Sequence, residues 1–297
     1  MKELTQARVE EWLSLVDGQF TVKDIWAELG VNYEENRSNL RVILHRLREK
    51  GVIAKCSHNG TYRKLETEVT RIDWQSADPG AVLPLKLPFE IHKYCKLYPK
   101  SIVIVAGEKN AGKTTFLYLA TVLNMGMFET DLYNNETGAE QMQERFSYLD
   151  VPVPPPFESY ERYDNFADVI HPEHLSIIDY LDTNSEVYLV GAEIDAIFRK
   201  LTTGVAIIGL QKPPPAKMLV RGKMVSQSRD LAYGGGFTAK RAALYISLGD
   251  YKCKLVYVKT PMNPRVNPNN MQWAYSVGED GYFANIRRFY GEEVKFE

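Results

Sequence analysis

The chain has 297 residues, 44% of them apolar and 11% aromatic, which suffices for one large domain, or a large and a small one, with a full core. A formal net charge of -2 excludes nucleic-acid or membrane affinity as a bulk property, so any such affinity must come from local patches. Cys56, Cys95 and Cys253 have neither zinc spacing nor a disulfide framework, the start MKELTQARVEEW lacks an apolar signal core, and no run approaches a membrane span. A cytoplasmic protein in a reducing compartment, without a membrane partner, is expected.

The first 66 residues read as a small domain of their own. Val9, Trp12, Leu13 and Val16 recur at helical spacing up to Asp17-Gly18, and Thr21 is placed to cap a helix VKDIWAEL that stops at Gly30. A third helix is predicted from about Asn36, with Leu40, Ile43, Leu44 and Leu47 on one stripe, Arg37, Arg41, Arg48 and Lys50 off it, and Gly51 ending it. VIAKCSHNGTYRKL then predicts two short strands around Asn59-Gly60. Three helices and a hairpin resemble the winged helix-turn-helix, a small α+β domain. That resemblance implies duplex DNA in contact with the third helix through Arg37 and Arg41 and with the wing through Arg63. Winged helices also serve as protein-interaction modules, so both uses stay open.

Residues 67–88 lose periodicity and gain Asp78-Pro79-Gly80, Pro84 and Pro88, the composition of a linker that wraps onto a second domain at 89–297. That domain alternates strand and helix signals, as an α/β fold with a mainly parallel sheet does. In it SIVIVAGEKNAGKTT, Ser101 to Thr115, is a β-branched run breaking into the phosphate-loop pattern G-x-x-x-x-G-K-[ST]. Gly107 and Gly112 allow the backbone N–H groups of Glu108, Lys109, Asn110 and Ala111 to converge on a phosphate. Lys113 places an ammonium against the β and γ oxygens, Thr114 offers a hydroxyl to Mg²⁺, and Thr115 continues the helix whose positive end faces the anion. ATP with Mg²⁺ is the expected ligand. LSIID, Leu175 to Asp179, predicts a buried strand that delivers a carboxylate at its carboxyl end, the Walker B arrangement for Mg²⁺.

The order YPKSIVIVAGEKNAGKTT, DLYNNETGAEQMQERF, LSIIDYLD, VAIIGLQK resembles the RecA-like P-loop ATPase core, and within it the DnaB-type replicative helicases and their phage and plasmid relatives, over roughly 78 to 283. The resemblance implies that Glu136 is the general base acting on water and that Gln211, at a strand end, senses the γ-phosphate. It further implies that the segments after Gln211 hold single-stranded DNA: KPPPAKMLVRGKMVSQSR, with Lys212, Lys217, Arg221, Lys223 and Arg229, and AYGGGFTAKR, with Lys240 and Arg241. LVYVKTPMNPRVNP resembles the last core strand and its Lys-x-Arg pair, Lys259 at the strand end and Arg265 farther along than the family spacing. Such a pair completes the neighbouring subunit's site, which implies a homo-oligomer. The family's N-terminal collar has no counterpart here, so two classes remain open, a motor on single strands and a DNA-binding ATP switch. His171 and His174 have helix-like spacing and no third ligand nearby in sequence.

Overall fold

In the computed structural model, residues 4–16, 18–30, 33–58, 60–65, 69–181, 189–220, 223–278 and 280–290 are described, those at 15, 33–35, 216–220 and 223–227 in backbone only. Asn59 of the expected turn, Glu66 at the expected domain boundary and Arg221 lie outside the described residues. The chain separates into two compact units, Met1–Ala77 and Asp78–Glu297.

The first unit holds α1 (Gln6–Leu15), β1 (Gln19–Thr21), α2 (Val22–Leu29), α3 (Tyr33–Glu49), β2 (Ile53–Lys55) and β3 (Thr61–Lys64). Thr21 and Asp24 form a reciprocal capping box at the start of α2, and Gly30 closes it in the left-handed region. Helix α3 ends as its leucine stripe predicts: Gly51 N–H donates to the Arg48 carbonyl at 2.9 Å and Val52 N–H to that of Leu47 at 2.8 Å, a double bond pattern that needs a left-handed residue at 51. Leu40, Ile43, Leu44 and Leu47 are buried against Val9, Trp12, Leu13 and Ile25. Each such side chain contributes about 1.5–3 kcal/mol on burial. Strand β1 was not expected. It is three residues long, too short for a periodic signal, and it forms because Phe20 drops into the core and pairs with Tyr62, completing an antiparallel sheet of order β1-β3-β2.

The second unit is built on one sheet. Its parallel part uses β4 (Ser101–Gly107), β5 (Thr130–Asn134), β6 (Glu158–Glu161), β7 (Leu175–Asp179), β8 (Val205–Gln211) and β11 (Ala242–Gly249). A hairpin of β9 (Ala216–Val220) and β10 (Lys223–Gln227) stands apart from it, and β12 (Lys252–Val258), β13 (Gln272–Val277) and β14 (Phe283–Phe289) extend one edge antiparallel. The order is β14-β13-β12-β11-β4-β8-β7-β5-β6. Helices α4 (Lys113–Asn124), α5 (Ala139–Ser147), α6 (Phe166–Val169), α7 (Leu189–Lys200) and α8 (Gly236–Ala239) complete the unit. The pleat of β4 divides the core: Val103 and Val105 face Phe116, Leu117 and Ala120 of α4, whereas Ile102, Ile104 and Ala106 face Val190, Ile194 and Ile197 of α7. Both faces are covered, so β4 is buried along its whole length.

Three expectations change. Residues 78–88 belong to the second unit: Leu85 and Leu87 are core residues, and Lys86 N–H donates to Asn124 Oδ1 at 2.8 Å. The segment after Gln211, read as a loop, contains the β9–β10 hairpin, with Lys217 opposite Ser226 and Lys223 opposite Val220. Its apolar residues Met218, Leu219, Val220, Met224 and Val225 flank Arg221-Gly222, a strand-turn-strand pattern hidden by the basic residues. Finally, β12 is not the last strand of the sheet, because β13 and β14 continue it. No helix among the described residues is long and apolar enough to cross a membrane.

Candidate nucleotide-binding site

Strand β4 delivers Gly107 to a loop that turns back on its own helix: a Cβ on Gly107 would come within 3.0 Å of Lys113 Cβ. Asn110 and Gly112 take φ of 62° and 80°. Gly112 is constrained twice over, since a Cβ there would also meet the Phe283 ring at 2.7 Å. Helix α4 then starts at Lys113 with no side-chain cap, leaving the N–H groups of its first turn facing outward as an anion site.

Three functional side chains expected from separate parts of the sequence meet here. Lys113, 6% exposed, has its Nζ 3.3 Å from Glu136 Oε2, 3.6 Å from Asp179 Oδ1 and 3.7 Å from the centre of the Tyr180 ring. Thr114 Oγ1 donates to the same Glu136 oxygen at 3.2 Å. The Glu136 turn is fixed by Asn134, whose Oδ1 accepts from the N–H groups of Glu136 and Thr137, each at 3.2 Å. Asp179 ends β7 fully buried, and neither of its carboxylate oxygens accepts a hydrogen bond from the described residues. Burial pushes its pKa up, and the Lys113 ammonium pulls it part of the way back. An orphaned carboxylate beside a threonine hydroxyl, at the mouth of a phosphate loop, fits a hard divalent cation with oxygen ligands.

Lys113, Thr114 and Glu136 line a cavity of about 270 Å³, with Asp179 buried behind Lys113. Gln211 lines it too, at the end of β8. So do residues that the sequence did not single out: Tyr118, Arg145, Val277, Asp280, Gly281 and Tyr282. The β13–β14 connection sits against the phosphate loop, with Thr115 Oγ1 donating to the Gly281 carbonyl at 2.9 Å and the Tyr275 hydroxyl to that of Ala111 at 2.7 Å. Tyr282, its hydroxyl pKa pushed up to about 12 by burial, donates to the Arg145 carbonyl at 2.6 Å.

Glu108 and Lys212 form a second polar cluster at the carboxyl ends of β4, β8 and β11. Lys212 was expected among the DNA-facing cations. It is 2% exposed, and its Nζ donates to Ser228 Oγ at 3.1 Å, Ser247 Oγ at 2.9 Å and the Leu248 carbonyl at 3.1 Å, with Glu108 Oε1 at 3.6 Å. The Ser228 hydroxyl donates to Glu108. Gly249 lets the pair sit close: a Cβ would lie 2.8 Å from Glu108 Oε1 and 2.9 Å from Lys212 Nζ and would displace the ends of both side chains. The cluster therefore ties the first residue after Gly107 to the residue after Gln211 and to the foot of the β9–β10 hairpin.

No family profile matches the chain, and no curated protein matches it. Among solved structures, the crystal structure of the RadB recombinase is similar at 12% sequence identity and a TM-score of 0.41, over 62% of this chain and 90% of that one. The functional reading rests on the site itself.

The remaining expected residues divide. Arg241 is half-buried, with Nε 2.5 Å from Asp195 Oδ1 and its guanidinium 4.7 Å from the Phe198 ring centre, so its charge and its flat face are already engaged. Lys240 is exposed. Lys217 and Lys223 are placed by their backbone on facing strands of the hairpin. Lys259 and Arg265 are exposed and follow β12, which runs antiparallel to β11; Lys259 N–H donates to the Ala243 carbonyl, at the end of the sheet opposite the phosphate loop. They do not reach the cavity of their own chain. In the first unit Arg37, Arg41 and Arg63 are exposed. His174 lies between Glu129 and Asp131, at 2.7 and 2.8 Å, and stacks on His171. Among the described residues no group of three or more His, Cys, Asp or Glu could hold a metal ion.

Proposed function

We propose that this chain is a DNA-associated, Mg²⁺-dependent ATPase with a RecA-like core, acting as a homo-oligomeric motor on single-stranded DNA in replication or recombination. The observation that carries the reading is the convergence of Lys113, Glu136 and Asp179 within 3.6 Å at an intact phosphate loop. In this reading the loop from Gly107 to Thr115 holds the phosphates. Thr114 and Asp179 would hold Mg²⁺, which when bound offsets charge on the phosphate oxygens.

Lys113 neutralises the β and γ oxygens. A triphosphate that takes up this ammonium leaves the Glu136 carboxylate free to accept a proton from water as that water attacks the γ-phosphorus. Gln211, lining the same cavity, reports the γ-phosphate to the β9–β10 hairpin that follows it. Lys259 and Arg265 act on a neighbouring subunit, a role that suits their exposure and their place away from their own cavity. Residues 1–66 form the winged helix, and the unit from Asp78 onward is the ATPase domain; exposed Arg37 and Arg41 on α3 and Arg63 on β3 support phosphate contacts to duplex DNA in the winged helix.

Phosphate release from Mg²⁺·ATP should rise several-fold on adding single-stranded DNA, and changing Lys217, Arg221 and Lys223 together to Ala should remove the rise while sparing basal ATP affinity. The measurement is a steady-state rate with single strands, duplex and no DNA at matched salt. Slow turnover indifferent to single strands, with tight duplex binding lost in Arg37→Ala/Arg41→Ala, would replace the motor by an ATP switch that uses the winged helix to select duplex DNA.

A further inference from the structure

Two large rings stand in solvent just beyond the end of the Gln211 strand: Tyr233, 47% exposed, and Phe237, 62% exposed. Their segment is firmly held. Tyr233 N–H donates to the Gln211 carbonyl at 3.0 Å, and Ala232 N–H to the Tyr245 hydroxyl at 2.9 Å. Thr238 Oγ1 donates to the Gly235 carbonyl at 2.7 Å and lies 3.0 Å from the same Tyr245 oxygen; Thr238 and Tyr245 are completely buried. Gly234 and Gly235 turn the chain between the rings with φ of 96° and 52°. Under the second ring, Gly191 of α7 leaves room for Phe237: a Cβ on that glycine would come within 3.1 Å of Phe237 Cβ. Phe237 is thus seated at its stem and open at its ring.

The surroundings supply the complementary charge. Lys240 and Arg229 are exposed on either side of the rings in sequence, and the hairpin before them carries Lys217 and Lys223. Of the acids along the chain and on α7, Asp230 pairs with Lys254 at 2.7 Å, Asp195 with Arg241 at 2.5 Å, and Glu193 accepts from the Phe166 N–H at 2.6 Å. Ordered aromatic faces among cations suit an alternation of flat bases and phosphates.

We propose that Tyr233 and Phe237 form a base-stacking platform for single-stranded DNA, the rings taking bases while Arg229 and Lys240 take phosphates. The proposal rests on the single-strand reading above and deepens it. Because the Tyr233 backbone hangs on Gln211, the platform is joined to the strand end that lines the nucleotide cavity.

The test compares the full chain, with Mg²⁺ and a non-hydrolysable ATP analogue, on labelled oligo-dT and on an abasic strand of the same length and charge at matched salt. The parent should bind oligo-dT on the order of tenfold more tightly per stacked ring. Tyr233→Leu and Phe237→Leu should each lower that preference, and the double variant should bind the two strands alike. Equal parent affinity for both strands would overturn the platform and leave the single-strand reading standing. Binding to neither strand would sink both. A change of oligomeric mass in the variants with the oligo-dT preference intact would assign the rings to contact between copies and contradict the proposal. The comparison of strands in the parent needs no variant to fold.

Discussion

Glu136→Gln is expected to retain Mg²⁺·ATP binding within a few-fold of the parent and to lose turnover by about 10²- to 10⁴-fold, the range for removing a general base. The substitution keeps the side chain's shape. An amide oxygen can still accept from Thr114, whose hydroxyl lies 3.2 Å from Glu136 Oε2, and the Asn134 bonds that fix the turn involve the backbone rather than this carboxylate. What disappears is the ability to take a proton. Equilibrium binding of a fluorescent ATP analogue beside steady-state phosphate release separates the two effects. Parent-like turnover would remove Glu136 as the base and leave it as a partner of Lys113 and Thr114.

Asp179→Asn should separate stability from activity. In the parent a carboxylate is held fully buried with no hydrogen bond to either oxygen from the described residues, and burial pushes its pKa up. A neutral amide of the same shape escapes most of that desolvation cost, so the nucleotide-free variant should melt higher. A gain of about 1 kcal/mol corresponds to ~2–4 °C for a domain of this size. The same change removes the charge needed to hold Mg²⁺. Hydrolysis should therefore fall by two orders of magnitude or more, and the rise in melting temperature expected of the parent with Mg²⁺·ATP should be lost. Thermal melts with and without Mg²⁺·ATP check both halves. A lower nucleotide-free melting temperature would show that the carboxylate, through Lys113 at 3.6 Å, stabilises the fold instead.

The parts of the site legible in the sequence are those whose signal is local. The phosphate loop is a contiguous pattern after a β-branched strand, and Asp179 closes a five-residue strand that is buried throughout, as its apolar run predicts. Thr21, Gly30 and Gly51 fix helix ends by chemistry that acts within a few residues. Glu136 was reached through family resemblance, because an acidic residue at a strand end is too common to stand out by itself. Arg145, Val277, Asp280, Gly281 and Tyr282 carried no signal. They join the cavity only through the folded sheet, which brings β13 and β14 to the loop between β4 and α4.

Lys212 shows the opposite failure. A lysine next to three prolines in a basic stretch reads as solvated, yet its partners Glu108, Ser228, Ser247 and Leu248 come from distant segments, and together they satisfy it in the interior. Arg241 has partners that its neighbours in sequence do not announce, since Asp195 and Phe198 lie on a helix well upstream.

The central claim is that the loop around Lys113 binds ATP for hydrolysis. Mg²⁺·ATP titrated into the purified full chain, with phosphate release followed in the same samples, tests it most directly against Lys113→Ala. Saturable binding and steady release are expected in the parent, with release abolished and affinity strongly weakened in Lys113→Ala. Binding and release unchanged by that substitution, or no binding by the folded parent at millimolar ATP, would contradict it.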